Sequence, residues 1–233
     1  MNINYKVKIQ LYEHLLQFMS VNKKSLIENN ILNRTKHLTV VLENIFQPHN
    51  ASAVLRTCDC FGIQDIHIIE NSNYYNVNPD VALGSSKWIN LIRYNEKENN
   101  TKDCLLSLKK KGYRIVATSP HENDYNINDL PIDNKLALVF GTEMQGLSDI
   151  ALEMADEYVK IPMYGFTESY NISVSAGICL YQLSENLRKS NINWSLTEEE
   201  TLEYKLNWAR NIIKRSELIE EKFFKNLDSI NSI

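Results

Sequence analysis

The chain has 233 residues, 43% hydrophobic and 23% charged, with seven glycines and four cysteines. That is enough for one sizeable domain with appendages, and the balance excludes a disordered, collagenous or disulfide-stapled chain. A net charge of −4 excludes a uniformly basic nucleic-acid binder, yet the charge is unevenly spread.

Residues 1–37 carry six Lys/Arg, including Lys23, Lys24 and Arg34, against Glu13 and Glu28. Residues 38–187 carry 11 basic and 19 acidic side chains, and residues 188–233 carry eight of each. In that last stretch Lys205, Arg210, Lys214 and Arg215 follow one another with no acid between them. Basic ends on an acidic middle suit a polyanion held by appendages, and solvated helix faces produce the same pattern. No apolar run reaches the length of a membrane span, and "MNINYKVKIQ" lacks the apolar stretch of a signal peptide. Cys58, Cys60, Cys104 and Cys179 make no disulfide framework, and Cys58-x-Cys60 is too close for a zinc knuckle. Reduced thiols in a cytoplasmic protein, with no metal, are expected.

In chain order, residues 5–32 have helical periodicity, with Leu11, Leu15, Leu16, Phe18 and Met19 on one side, and predict one or two helices. "LTVVLENI" (38–45) predicts a buried strand. A helix follows from Asn50, a natural cap, to Gly62, a natural C′ residue. Strands are predicted at 65–70, 87–94, 113–119, 135–141 and 158–163. Helices are predicted at 100–111, over a short stretch ending near Ala155, and from Asn171 to Arg188. The alternation predicts an α/β domain, with a mostly parallel sheet covered on both faces. From Asn191 on, a separate helix is expected, with Ser195 as its cap and Glu198 closing a capping box. Trp208 in that helix fits packing better than base stacking.

Ligands of open α/β sheets bind beyond the carboxyl ends of the strands. Three loops stand there: "PHNASAVLRT" after 38–45, "FGTEMQGLS" after 135–141, and "IPMYGFTESYNISVSAG" after 158–163. None carries a dinucleotide glycine fingerprint or a phosphate-binding loop, which counts against a dehydrogenase. His14, His37, His49, His67 and His121 are scattered, and no nucleophile elbow is present. Asn, Arg, Glu and Ser on glycine-opened backbone suit a reaction that needs alignment more than acid–base power, such as methyl transfer from a sulfonium.

Together, in content and order, the three loops resemble the motifs of the SpoU/TrmH family of the SPOUT superfamily, over roughly residues 38–187. Within that family the match is closest to the branch acting on guanosine-18 of tRNA. The resemblance implies an S-adenosylmethionine-dependent RNA 2′-O-ribose methyltransferase with a deep trefoil knot. It further implies a homodimer whose active sites borrow from both chains. Carried over by motif, Arg56 is the catalytic arginine, steadied by Asn50. Glu143 holds its loop, and Ser169 and Asn171 point into the catalytic space. Thr118, Gly141, Ile161 and Tyr170 line the cofactor pocket, the last three chiefly through backbone. Ser86 and Lys87 of "GSSKW" stand where the family's RNA-contacting loop lies, a weaker match than the rest. Lys23, Lys24, Arg34, Arg210, Lys214 and Arg215 are the expected RNA-facing cations. The division is a basic helical extension (1–37), the methyltransferase domain (38–187) and a helical extension (188–233). The expected substrate is tRNA. Ribosomal RNA, or a catalytically silent RNA-binding dimer, are the alternatives.

Overall fold

The computed structural model describes residues 4–119 and 124–231, so His121 lies outside the described residues. In chain order the elements begin α1 (Tyr5–Leu16), α2 (Val21–Ile31), β1 (Leu38–Glu43), α3 (Pro48–Cys60), β2 (Asp65–Ile69), α4 (Pro79–Ala82) and β3 (Asn90–Tyr94). They continue with α5 (Thr101–Lys110), β4 (Arg114–Thr118), β5 (Tyr125–Asn126), β6 (Leu136–Phe140), α6 (Asp149–Met154), β7 (Glu157–Lys160), α7 (Ile172–Lys189), α8 (Glu198–Ile212) and α9 (Ser216–Asn231). The chain divides into two compact units: residues 35–194, and the two ends, up to Arg34 and from Ser195 on.

The larger unit is α/β. Among its described residues seven strands lie in the order β3-β2-β1-β6-β4-β7-β5, and every pair is parallel. Every residue of β1, β2 and β6 is buried, as a sheet covered on both faces requires. Leu38, Val40 and Leu42 point to one face, packed with Val54 and Leu55 of α3 and Ala176 and Leu180 of α7. Val41 points to the other, with Leu105 and Leu108 of α5 and Ala151 of α6. One face thus seats α3 against α7, both flanking the loops of interest.

Several boundaries differ from the sequence reading, each for a local reason. β1 stops at Glu43 because Asn44 turns into the left-handed region, φ 55°, its N–H donating to the Ile69 carbonyl. The helix after it starts at Pro48 with Gln47 as cap residue, so Asn50 lies in its first turn and Pro supplies the N1 position. Gly62, φ 76°, does follow its end. "KWINLIRY" is a strand only from Asn90; residues 85–87 form a single 3-10 turn. The short elements α4 and β5 carry no periodicity long enough to read.

The unit made of the chain ends buries Leu11, Leu15, Ile27 and Ile31 with Leu202, Leu206, Trp208 and Ala209. Met19 of the expected stripe is buried, whereas Phe18 is half exposed. The trailing segment is two helices, parted where Arg215 takes φ 57°. Its capping box is two residues later than expected: Thr197 Oγ1 accepts from Glu200 N–H, and Glu200 accepts from Thr197 N–H. Trp208 is buried beneath the Arg34 guanidinium, 5.2 Å from the ring centre. α7 runs on to Lys189, and the Trp194 carbonyl accepts from Thr35 Oγ1 within the larger unit.

Candidate active site

The carboxyl ends of β4, β6 and β7 open onto a cavity of about 410 Å³. Thr118, Gly141, Ile161 and Tyr170 all line it, together with Glu143 and Ser169. The loop after β6 forms one wall. It is pinched by two backbone hydrogen bonds, Thr142 N–H to the Gly146 carbonyl (2.9 Å) and Gly146 N–H to the Thr142 carbonyl (3.0 Å). Glycine is required at both ends for different reasons. Gly146 sits at φ 70°, a conformation costly for L side chains, whereas a Cβ at Gly141 would lie 2.1 Å from the Gly146 carbonyl oxygen. The Thr118 hydroxyl is committed to the Val139 carbonyl at 2.8 Å. Cys179 closes the pocket, and burial pushes its thiol up to about 12, so it is an unreactive neutral group at pH 7.

At the edge of the cavity three side chains from the three loops meet. Glu143 Oε1 accepts from Asn50 Nδ2 at 2.7 Å and from Asn171 Nδ2 at 2.6 Å, and Asn50 Oδ1 accepts from Asn171 at 3.2 Å. Asn50 is 5% exposed, so its amide is fixed by these partners rather than by water. Gln47, which the sequence reading passed over, accepts a further hydrogen bond from Asn50 at 2.9 Å; its place one residue before a helix-opening proline was the available signal. Asn171 is also the cap of α7, its Oδ1 accepting from Ser173 N–H at 2.9 Å. The capping role and the place in the cluster are therefore the same conformation. One Asn presents an acceptor to the helix and a donor to the site.

Arg56 lies six residues beyond Asn50 on α3, exposed, outside the cavity lining and with no hydrogen bond or ion pair among the described residues. Ser86 and Lys87 are exposed on the turn that follows Gly84, φ 83°. Of the cations on the chain ends, Lys23, Lys214 and Arg215 are exposed and Lys24 is half-buried. Two expected RNA-facing groups are placed otherwise. Arg34 is 5% exposed and stacked on Trp208, and Arg210 is clamped by Glu220 through two hydrogen bonds (2.7 and 3.1 Å). Lys205 is likewise paired with Glu28. Among the described residues no group of acidic, His and Cys side chains could hold a metal ion, and no helix is long and apolar enough to cross a membrane.

Comparison with known proteins gives the arrangement a family. Residues 37–181 match the SpoU rRNA Methylase family. A tRNA (guanosine(18)-2′-O)-methyltransferase of Borreliella burgdorferi is 48% identical over 206 residues, 88% of this chain and 93% of that one. The crystal structure of the Aquifex aeolicus TrmH/SpoU tRNA modifying enzyme superposes with a TM-score of 0.74 at 30% identity, covering 83% of this chain and all of that one. A SpoU methyltransferase of Streptomyces viridochromogenes, AviRb, solved in complex with AdoMet, shares the fold at 20% identity and a TM-score of 0.55, over 70% of this chain and 62% of that one. With its three loops gathered at one sheet edge and more than half its length matched, this chain belongs to the SpoU/TrmH family of RNA methyltransferases.

Proposed function

We propose that this enzyme methylates the 2′-hydroxyl of guanosine-18 in the D-loop of tRNA, using S-adenosylmethionine. The observation that carries the reading is the convergence of Asn50, Glu143 and Asn171, one from each loop, at the edge of a single cavity. The activity of the Borreliella burgdorferi relative, which matches 88% of the chain, supports the choice of nucleotide.

The cavity fits the cofactor. Its volume lies within the ~300–1,000 Å³ of small-molecule sites. Residues 141–147 and 159–161 line it, with Glu143 and Glu168 to balance a positive charge. S-adenosylmethionine supplies a methyl group already activated on a positive sulfur. The protein's task is then alignment. Gly141, Ile161 and Tyr170 hold the cofactor through backbone, and Thr118 shapes the wall. Asn50, Glu143 and Asn171 lock the three loops in one geometry, with Ser169 beside them facing the acceptor. Arg56 remains charged at any working pH and cannot serve as a base. It clamps a substrate phosphate and so orients the ribose.

The reading extends to features the family carries: a deep trefoil knot through β6, β7 and α7, a homodimer, and a cytoplasmic setting. Exposed Tyr164, Phe166, Val174 and Tyr181 support a partner surface on the 35–194 unit. Residues 38–187 are the catalytic domain, and the extensions 1–37 and 188–233 present cations to RNA. Lys23, Lys24, Lys214 and Arg215 carry that role on the extensions and Lys87 on the catalytic domain, while Arg34 and Arg210 hold the helical unit together. The test is methylation of transcribed tRNA and ribosomal RNA fragments with labelled cofactor, followed by mapping of the product. Label at guanosine-18 of tRNA is expected. Label only in ribosomal RNA would overturn the substrate, and no label in either would leave a silent RNA binder.

A further inference from the structure

Glu43 closes β1 and is 2% exposed. Nothing in the reaction as described uses it, yet three donors converge on its carboxylate. Oε1 accepts from Thr101 Oγ1 at 2.6 Å and from Ser148 Oγ at 2.7 Å, and Oε2 accepts from Ser148 N–H at 2.9 Å. A carboxylate this deep is strongly disfavoured unless its partners are in place, so the three contacts hold one another in register.

Where those partners lie gives the cluster its meaning. Ser148 is the cap of α6, its hydroxyl accepting from Ala151 N–H at 3.2 Å, and it ends the loop that forms one cavity wall. The other end of that loop leaves β6 at Phe140, which pairs with Leu42, the neighbour of Glu43 in β1. Both ends of the segment 141–148 are therefore fastened to adjacent residues of one strand, by the sheet ladder at one end and by Glu43 at the other. Between them stands Glu143, hydrogen-bonded to Asn50 and Asn171. The remaining partner, Thr101, opens α5 and accepts from Asn71 Nδ2 at 3.1 Å, which fixes the hydroxyl that Glu43 receives.

We infer that Glu43 is a positioning residue: it clamps the 141–148 loop at Ser148, so that the loop lines the cavity and delivers Glu143 to the two asparagines. The inference rests on the proposed methyl transfer only for its catalytic consequence; the clamp itself is built from protein groups alone. The geometry also says which property of the carboxylate matters. A glutamine with its nitrogen at the Oε1 position donates to two hydroxyls, both able to accept, while its oxygen takes the Ser148 N–H. Shape and hydrogen bonding, not charge, are the requirement.

The test compares Glu43→Ala with the rescue variant Glu43→Gln in two measurements. In hydrogen exchange on the cofactor-free protein, Glu43→Ala speeds exchange of the amides of 141–152 by at least about fivefold, while β2 and α7 stay protected and Glu43→Gln stays near wild type. In S-adenosylhomocysteine binding and in turnover, Glu43→Ala weakens affinity and lowers kcat by about tenfold or more, with KM for tRNA nearly unchanged. Should Glu43→Ala not fold, Ser148→Ala, which removes one of the three contacts, gives the same pattern at smaller size. Unchanged loop exchange in a folded Glu43→Ala protein, uniform loss of protection throughout the sheet, or failure of Glu43→Gln to rescue would each overturn the inference. Wild-type protein that binds no S-adenosylhomocysteine sinks the proposed function instead, and the exchange measurement still decides the clamp.

Discussion

Gly141→Ala isolates the wall of the cavity from everything else in the site. Gly141 needs no unusual backbone conformation; what it needs is room, since an added Cβ would stand 2.1 Å from the Gly146 oxygen and 2.4 Å from the Leu147 nitrogen. Those atoms are backbone, so no side chain can swing aside, and the 146–147 segment must retreat by about 1 Å to reach van der Waals contact. Retreat breaks the paired Thr142–Gly146 hydrogen bonds. Together with the strain of overpacking, this comes to about 3 kcal/mol if the loop resists. If the loop yields, the loss appears in the cofactor, because a misplacement of about 1 Å in an aligned site costs about a hundredfold. Gly146→Ala is the control. It meets nothing within 4 Å but sits at φ 70°, so it costs about 1 kcal/mol of backbone strain and leaves the wall in place. Urea denaturation and S-adenosylhomocysteine calorimetry on both variants separate the two costs. A Gly141→Ala protein as stable as wild type that binds the ligand normally would refute the steric account of the wall.

Other expectations follow from the same placement. Arg56→Ala abolishes turnover and leaves S-adenosylhomocysteine binding within about twofold, since Arg56 stands outside the cavity; parallel loss of both would make it structural. Asn171→Ala damages both measurements, because it removes the α7 cap and a partner of Asn50 and Glu143 together. His67 is pushed down to about 3 by burial, helped by Lys111 and Lys36, with Tyr94 Oη 3.1 Å from its Nδ1. It stays neutral in the fold while the unfolded chain protonates near 6.5, so its contribution is complete above that pH and is lost as pH falls towards 3. At pH 5 the loss is about 2 kcal/mol, read as the difference in pH slope between wild type and His67→Gln in urea midpoints. Binding of tRNA weakens with salt, and Lys214→Ala or Arg215→Ala each lowers the log–log slope by about one; an unchanged slope removes that residue from the interface.

What the sequence made legible depended on how local the cause was. Strands β1, β2 and β6 read clearly because both their faces are buried: β6 is apolar throughout, and in β1 and β2 only Thr39, Glu43, Asp65 and His67 interrupt the apolar run. Asn50 satisfies the statistics of a cap, yet Pro48 at N1 fixes the real start of α3, with the cap three residues earlier at Gln47, and frees the Asn50 amide for Glu143. Thr197 displaced Ser195 for a similar reason: both residues can cap, and only the reciprocal contact with Glu200 decides between them. The site itself was legible as three loops, whose content declares their chemistry. Its geometry was not, since the meeting of Asn50, Glu143 and Asn171 joins residues 93 and 121 positions apart from Asn50.

The cations of the chain ends mark the limit of composition as a guide. A lysine or arginine counts the same in a charge total whether it faces a phosphate or an internal partner. Arg34 and Arg210 show the difference. One is stacked on Trp208 inside the helical unit, and the other is held by both oxygens of Glu220. Removing either would weaken RNA binding only by loosening the unit, and its effect would follow stability rather than salt. Lys23, Lys214 and Arg215, exposed on the same unit, are the cations proposed to displace the counterions condensed on the RNA. Salt dependence therefore separates the two classes where affinity alone cannot. Arg34→Ala should lower the unfolding midpoint and leave the salt slope of tRNA binding unchanged, the reverse of Lys214→Ala.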